Sequence, residues 1–265
     1  MAERTRGPAR LHVVGMVQLR PLPGSARYTD EPLTSIIDAA LAEVAVLDDC
    51  SFTGVQLQNM GDNPSSRRAG LETIAYMTTA AVEIRRCHPE LQLSILVNWD
   101  AEASIAVADA CGADFVRVEH TWIGASVTSW GVSQAQCHEA TAFRSRIRSR
   151  VPIFADVYEP HAVPLVERPV EAVAQAAVDE GGADGLFVTG RSFDESMAWG
   201  KAIREVLPAV PLWLGGGATV ENVAAARPLF DGVTVATSIK RGDMRNAVDP
   251  DLARDFLLAA FGEQR

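Results

Sequence analysis

Two neighbouring stretches decide the fold: Leu212-Trp-Leu-Gly-Gly-Gly-Ala-Thr-Val-Glu-Asn222 and Gly232-Val-Thr-Val-Ala-Thr-Ser-Ile-Lys240. Each opens with a short apolar run and ends in small or hydroxyl-bearing residues. Glycines let backbone N–H groups approach an anion closely, and the hydroxyls of Thr237 and Ser238 stand at the next strand end. Closed α/β barrels bind phosphate between the loops after their seventh and eighth strands. Gly215, Gly216, Gly217, Thr237 and Ser238 are therefore candidate phosphate-binding residues. A tight turn that merely needs permissive glycines is the plainer reading.

Counting backwards gives these two runs their ordinal places. Apolar runs occur at Leu11–Val17, Gly54–Leu57, Leu93–Val97, Phe115–Val118, Ile153–Val157, Gly185–Val188, Leu212–Leu214 and Gly232–Val235. They are continuous rather than alternating, as parallel strands covered on both faces require. Between them lie Ala-rich stretches with helical spacing, such as Ile36, Ile37, Ala40, Leu41, Val44 and Leu47. Asp249-Pro250 opens a last helix with Pro in its first turn. Three helix ends lead into strands through glycine: Cys111-Gly-Ala-Asp-Phe, Gly181-Gly-Ala-Asp-Gly and Phe230-Asp-Gly. Eight strand–helix units with right-handed crossovers predict a single (β/α)8 barrel over residues 11–265, preceded by a flexible N-terminus over residues 1–10. A doubly wound open sheet would carry a glycine fingerprint after the first strand; here Gln18-Leu-Arg-Pro-Leu-Pro-Gly follows instead.

Composition agrees with one large core. The chain has 265 residues, 48% of them hydrophobic, and a net charge of −10. The acidic balance argues against nucleic acid as a partner, and Arg144, Arg146, Arg148 and Arg150 read as a solvated helix end. No apolar run is long enough to span a membrane, and the first residues lack a signal-like stretch, so a cytoplasmic location is expected. Cys50, Cys87, Cys111 and Cys137 show no metal-site spacing and read as buried or half-buried reduced thiols. Self-association into a homo-oligomer is expected, with no interface legible.

Side chains at the C-terminal strand ends face the active site of such a barrel. Here they include Gln18, Asn59, Asn98, Asp100, Glu119, His120, Asp156, His161 and Thr189, with Arg117 on the fourth strand. Asp156, Asp100, Glu119 and His120 are candidate acid/base residues, because carboxylates at different strand ends can be pushed to different pKa values. Two plainer readings stand beside these. Asp100 precedes a helix and serves equally as its N-cap. Asp156 and Arg117 serve equally as a structural ion pair. Gln18, Asn59, Asn98, Arg117, His161 and Thr189 are candidate substrate-binding residues. Lys240 lies beside the phosphate loop, so anion binding suits it better than Schiff-base chemistry. The sequence singles out no cofactor. A divalent metal on His120, His161, Asp100, Asp156 and Glu119 is possible in chemistry, but has no spacing signature.

Six motifs carry a family resemblance: Gly15-Met-Val-Gln-Leu-Arg-Pro-Leu-Pro-Gly-Ser, Asn59-Met-Gly-Asp-Asn-Pro, Asp156-Val-Tyr-Glu-Pro-His-Ala-Val-Pro-Leu, Val188-Thr-Gly, Gly215-Gly-Gly-Ala-Thr-Val-Glu-Asn and Ala236-Thr-Ser-Ile-Lys. Together they resemble the BtpA family, also called the photosystem I biogenesis or SgcQ-like family, from about residue 11 to about residue 260. The resemblance implies a TIM barrel of the ribulose-phosphate-binding type with a phosphate site. Three places depart from the family pattern. The third strand ends Asn98-Trp99-Asp100 where Arg-Asn-Asp is usual. Pro160 stands where Lys is usual, and Gln58 where Glu is common. A changed substrate, such as one with an aromatic group beside Trp99, or lost activity would follow.

The expected function is lyase, isomerase or glycosidic-bond chemistry on a small phosphorylated sugar, nucleotide or related metabolite. The alternatives are a non-catalytic assembly or stability factor and a phosphosugar-binding sensor.

Overall fold

The computed structural model describes residues 11–262; the expectation for residues 1–10 lies outside them. The elements run β1 (His12–Gln18), α1 (Leu33–Asp49), β2 (Gly54–Gln58), α2 (Leu71–Cys87), β3 (Gln92–Leu96), α3 (Ala101–Cys111) and β4 (Phe115–Val118). Then follow β5 (Ala125–Thr128), β6 (Gly131–Gln134), α4 (Cys137–Arg146), β7 (Ile153–Asp156), β8 (Ala162–Pro164) and α5 (Val170–Asp179). Last come β9 (Gly185–Val188), α6 (Phe193–Val206), β10 (Leu212–Leu214), α7 (Val223–Ala226), β11 (Gly232–Val235) and α8 (Pro250–Phe261).

Eight of these strands, in the order β1-β2-β3-β4-β7-β9-β10-β11, close into a parallel barrel. The predicted TIM barrel is the observed fold. Apolar side chains on the outer face of the strands pack against the helices in one continuous core. A separate cluster of Val14, Phe115, Phe154, Phe187 and Trp213 fills the interior. Glycine makes room for these rings: a Cβ on Gly185 would lie 2.7 Å from the ring of Phe154. The aromatic plug closes the barrel below, so the polar layer above it, beginning with Gln56, Arg117 and Asp156, opens toward the C-terminal strand ends alone.

The strand pattern did not anticipate a three-stranded antiparallel sheet, β6-β5-β8. It knits the loop after β4 to the loop after β7, with Val127 opposite both Val132 and Val163. These three valines share one face, and all are exposed, as are Trp130, Leu165 and Val166. The inner face carries Ser126 and Ser133, both buried.

All four cysteines lie at helix ends and are free, with Cys87 exposed rather than half-buried. Among the described residues no helix is long and apolar enough to cross a membrane.

Candidate active site

A hollow opens at the C-terminal end of the barrel. Gln18, Gln58, Arg117, Glu119, His161, Thr189, Gly215, Gly216, Gly217 and Thr237 line it. The sequence reading picked all of these but Gln58 as site residues.

The floor is an ion pair. Arg117 Nε and Nη2 donate to the two carboxylate oxygens of Asp156 at 3.0 and 2.9 Å, and Nη1 donates to the Gly215 carbonyl at 3.3 Å. The guanidinium also lies 4.5 Å over the ring of Phe187. Burial pushes the Asp156 carboxyl up, to about 6, against the opposing pull of Arg117; Glu119 and Glu159 push the same way as burial. Asp156 does not reach the hollow. It anchors Arg117, which does.

Above the ion pair, Glu119 is flanked by two cationic partners. Its Oε1 is 3.8 Å from Arg117 Nη2 and its Oε2 is 3.9 Å from His120 Nε2. At 17% side-chain exposure it is the open carboxylate of this cluster. His120 Nδ1 meets Glu159 Oε1 at 2.5 Å, and Glu159 Oε2 accepts the backbone N–H of His161 at 2.7 Å. Both oxygens of Glu159 are thereby fixed, and Nε2 of the imidazole is left toward Glu119. Burial opposes charge on His120, but the carboxylates of Glu159, Glu119 and Asp156 outweigh it and hold the imidazole above its ordinary value. Burial opposes charge on Glu159 as well, and its bonds to His120 and His161 outweigh that, so its carboxyl lies below the ordinary range.

His120 takes a left-handed backbone conformation, with φ 58°, and so does Trp99, with φ 66°. Residues with a Cβ visit this region at a cost and are held there by their surroundings. The two side chains stack, with ring centroids 3.7 Å apart and planes 9° apart, and Trp130 packs its edge on Trp99. Trp99 therefore supports His120 on one face, and it lines a separate hollow with Arg67, Arg68 and Gln136 rather than the one at the barrel mouth.

The seventh and eighth strand ends form the opposite wall. The N–H groups of Gly216, Gly217 and Ala218 find no acceptor among the described residues. Thr189 Oγ1 is likewise without a partner. Thr237 is exposed at the wall, whereas Ser238 turns away and donates to the Ala218 carbonyl at 2.7 Å. A Cβ on Gly215 would collide with Thr189 Oγ1 and lie 2.8 Å from Arg117 Nη2, so this position demands glycine.

Several candidates belong to the scaffold instead. Asp100 caps α3, accepting from Ala103 N–H at 3.0 Å, and its other oxygen accepts from Ala69 N–H at 2.9 Å. Asn59 donates to Asp62 and accepts the Asn98 N–H; Asn98 accepts from Gln58 and donates to Asn63. Asp62 in turn accepts the Leu22 N–H, so the Asn59-Met-Gly-Asp stretch staples the β1 loop to the end of β3. Lys240 is fully buried and donates to Glu43 at 2.6 Å and to Gln18 at 3.2 Å, which leaves it no role as a free anion-binding cation. His120, His161, Asp100, Asp156 and Glu119 do not converge, and among the described residues no group of three or more His, Cys, Asp or Glu is placed to hold a metal ion.

Glu159 is the residue the sequence reading missed. Arg117 and Asp156 are 39 positions apart, and so are His120 and Glu159. Once the first pair is considered, the same offset between neighbouring parallel strands points to the second.

A closed eight-stranded parallel barrel with a polar hollow at its C-terminal strand ends defines a TIM-barrel protein. The solved structure of a 3-hexulose-6-phosphate synthase matches it with a TM-score of 0.59 at 15% identity, over 94% of this chain and 99% of that one. The chain belongs to the BtpA family, whose sequence model matches residues 10–261. It is 33% identical over 253 residues to an uncharacterized protein of Thermococcus kodakarensis, covering 94% of both chains. It is 29% identical over 252 residues to the photosystem I biogenesis protein BtpA of Synechocystis, covering 93% of this chain and 87% of that one.

Proposed function

We propose that the protein is a lyase or isomerase acting on a small phosphorylated metabolite. One observation carries this reading: three unpaired backbone N–H groups, at Gly216, Gly217 and Ala218, with the Thr189 hydroxyl beside them, line the same hollow as Arg117 and Glu119. Unpaired donors around a concavity suit an anion with several acceptor oxygens, as a phosphate ester has. The likeness to a synthase of a phosphorylated sugar agrees with this in fold.

In this reading Glu119 moves the proton. It is the carboxylate open to the hollow, and His120 Nε2 stands behind it as the next proton site. Arg117 offers positive charge where an oxyanion would develop. Asp156 and Glu159 act as positioning residues for Arg117 and His120. A Schiff base has no place in this arrangement, since Lys240 is buried and paired with Glu43.

The test is calorimetric titration with ribose 5-phosphate, with inorganic phosphate as competitor. Binding that phosphate displaces supports the reading, and absence of binding by either compound overturns it. Glu119→Gln should keep that binding and lower turnover, once a substrate is found, by about 100-fold or more.

A second reading, an assembly factor, is favoured by the exposed apolar face of Val127, Val132 and Val163, because contiguous apolar patches of this kind often mark interaction sites. It predicts that Val127→Asp abolishes the cellular phenotype while Glu119→Gln preserves it.

A further inference from the structure

The hollow at the barrel mouth continues past Thr189. Thr189, Glu159 and Pro160 also line a second hollow, walled by Tyr158 and Trp199 and rimmed by Arg168, Arg191, Glu167 and Glu195. Tyr158 leads out of β7, and Trp199 projects from α6. Their rings lie 5.7 Å apart with planes inclined by 56°, so they pack on one another and form one continuous aromatic wall of this cleft. The Tyr158 hydroxyl is held at both ends, donating to the Arg168 carbonyl at 3.1 Å and accepting from the Arg168 N–H at 3.3 Å. The cleft therefore has one fixed aromatic wall.

No other ring packs on Trp199 among the described residues, in contrast to Trp99, whose face is covered by His120. At the rim, the Arg191 guanidinium makes no ion pair among the described residues, although its backbone N–H is bound by Glu195 at 2.5 Å. Apolar and aromatic walls with a few polar groups at the edge characterise sites for organic ligands. A planar ring gains from lying against an aromatic side chain, and its polar edge would meet donors on the two arginines and acceptors on Glu167 and Glu195.

We propose that this second hollow is the subsite for a planar aromatic ring on the same ligand whose phosphate sits at Gly215–Gly217. The substrate is then a phosphorylated compound carrying an aromatic ring, the chemistry of a nucleoside monophosphate, rather than a plain sugar phosphate. The linking group passes over Thr189, which with Glu159 and Pro160 is common to both hollows. This inference rests on the phosphate reading above.

The test compares inorganic phosphate, ribose 5-phosphate, AMP and UMP by calorimetric titration of the full chain, then repeats the series on Trp199→Leu and Trp199→Phe. The expected result is that AMP or UMP binds at least tenfold more tightly than ribose 5-phosphate. That advantage should fall below threefold in Trp199→Leu and persist in Trp199→Phe. If neither nucleotide outbinds ribose 5-phosphate, or if the advantage survives Trp199→Leu, the aromatic subsite is overturned while the phosphate site stands. If neither ribose 5-phosphate nor phosphate binds, both fall together. Should Trp199→Leu fail to fold, fluorescence decides: nucleotide-induced quenching must be present in the wild type and lost in Trp199→Phe, and quenching that persists overturns the subsite.

Discussion

Arg117 and Asp156 face each other from adjacent barrel strands through two parallel hydrogen bonds of 3.0 and 2.9 Å, with both side chains almost wholly buried. Removing the charge of one partner leaves the other uncompensated in a low-dielectric interior. Asp156→Asn is expected to cost about 3 kcal/mol of stability, the scale of a broken buried ion pair. Urea unfolding measures it, and a stability equal to that of the wild type would remove the pair from its structural role.

The His120–Glu159 pair should leave a signature in the pH dependence of stability. The contribution of His120, raised in the fold, is fully present below its ordinary value of 6.5 and is lost as pH rises through the raised value. That of Glu159, lowered in the fold, is present above its ordinary value of 4.5 and is lost as pH falls through the lowered value. The stability difference between wild type and Glu159→Gln should therefore be largest between these two ordinary values and narrow on either side. A difference that stays constant from acid to alkaline pH contradicts the pair.

Gly215 and Gly216 should respond differently to substitution. A Cβ on Gly216 meets nothing closer than Thr189 Cγ2 at 3.4 Å, so Gly216→Val should fold with near-normal stability and lose at least tenfold in affinity for ribose 5-phosphate. Gly215→Ala forces Thr189 and Arg117 aside, and should lower both stability and affinity. Melting curves with and without ligand separate the two effects; full ligand affinity in Gly216→Val contradicts the phosphate loop.

Lys240 and Glu43 give a stability prediction with no bearing on the anion. Burial already pushes the Glu43 carboxyl up against the attraction of Lys240. Lys240→Met should cost about 3 kcal/mol, and most of that should return in the double variant Glu43→Leu with Lys240→Met. Affinity for ribose 5-phosphate should stay within threefold of wild type. A double variant as unstable as the single one speaks against the pair.

The barrel was legible because its strands are buried on both faces. Phe115–Val118, Gly185–Val188, Leu212–Leu214 and Gly232–Val235 coincide with observed strands; Gly54–Leu57 and Ile153–Val157 differ by one residue at one end, and Leu11–Val17 and Leu93–Val97 by one residue at both ends. β5, β6 and β8 escaped notice because, unlike barrel strands of the same length, they are not continuous apolar runs. They mix Ser, Thr and Gln with valines that point outward, and one of them contains Pro164. At the site, strand ends named the pocket but not the direction of each side chain. The turn over Thr237–Ile239 rotates Lys240 under the barrel mouth toward α1, which proximity to Ser238 along the chain did not reveal. Asp100 and Asp156 were each open to two readings in sequence, and the distances show the first capping a helix and the second in an ion pair. Glu159 lies between Asp156 and His161, both of which were read as site residues, and is marked in sequence only by its 39-residue offset from His120.

The pairing of β5 with β8, through Ser126 and Pro164, Val127 and Val163, and Thr128 and Ala162, bears on how this scaffold accepts foreign parts. Loops on a barrel rim are ordinarily exchanged one at a time. Here the segment after β4 and the segment after β7 share a ladder, so replacing either alone strands the backbone partners of the other. Glu119 and His120 come from one segment and Glu159 from the other, and they transplant as a single cassette or not at all.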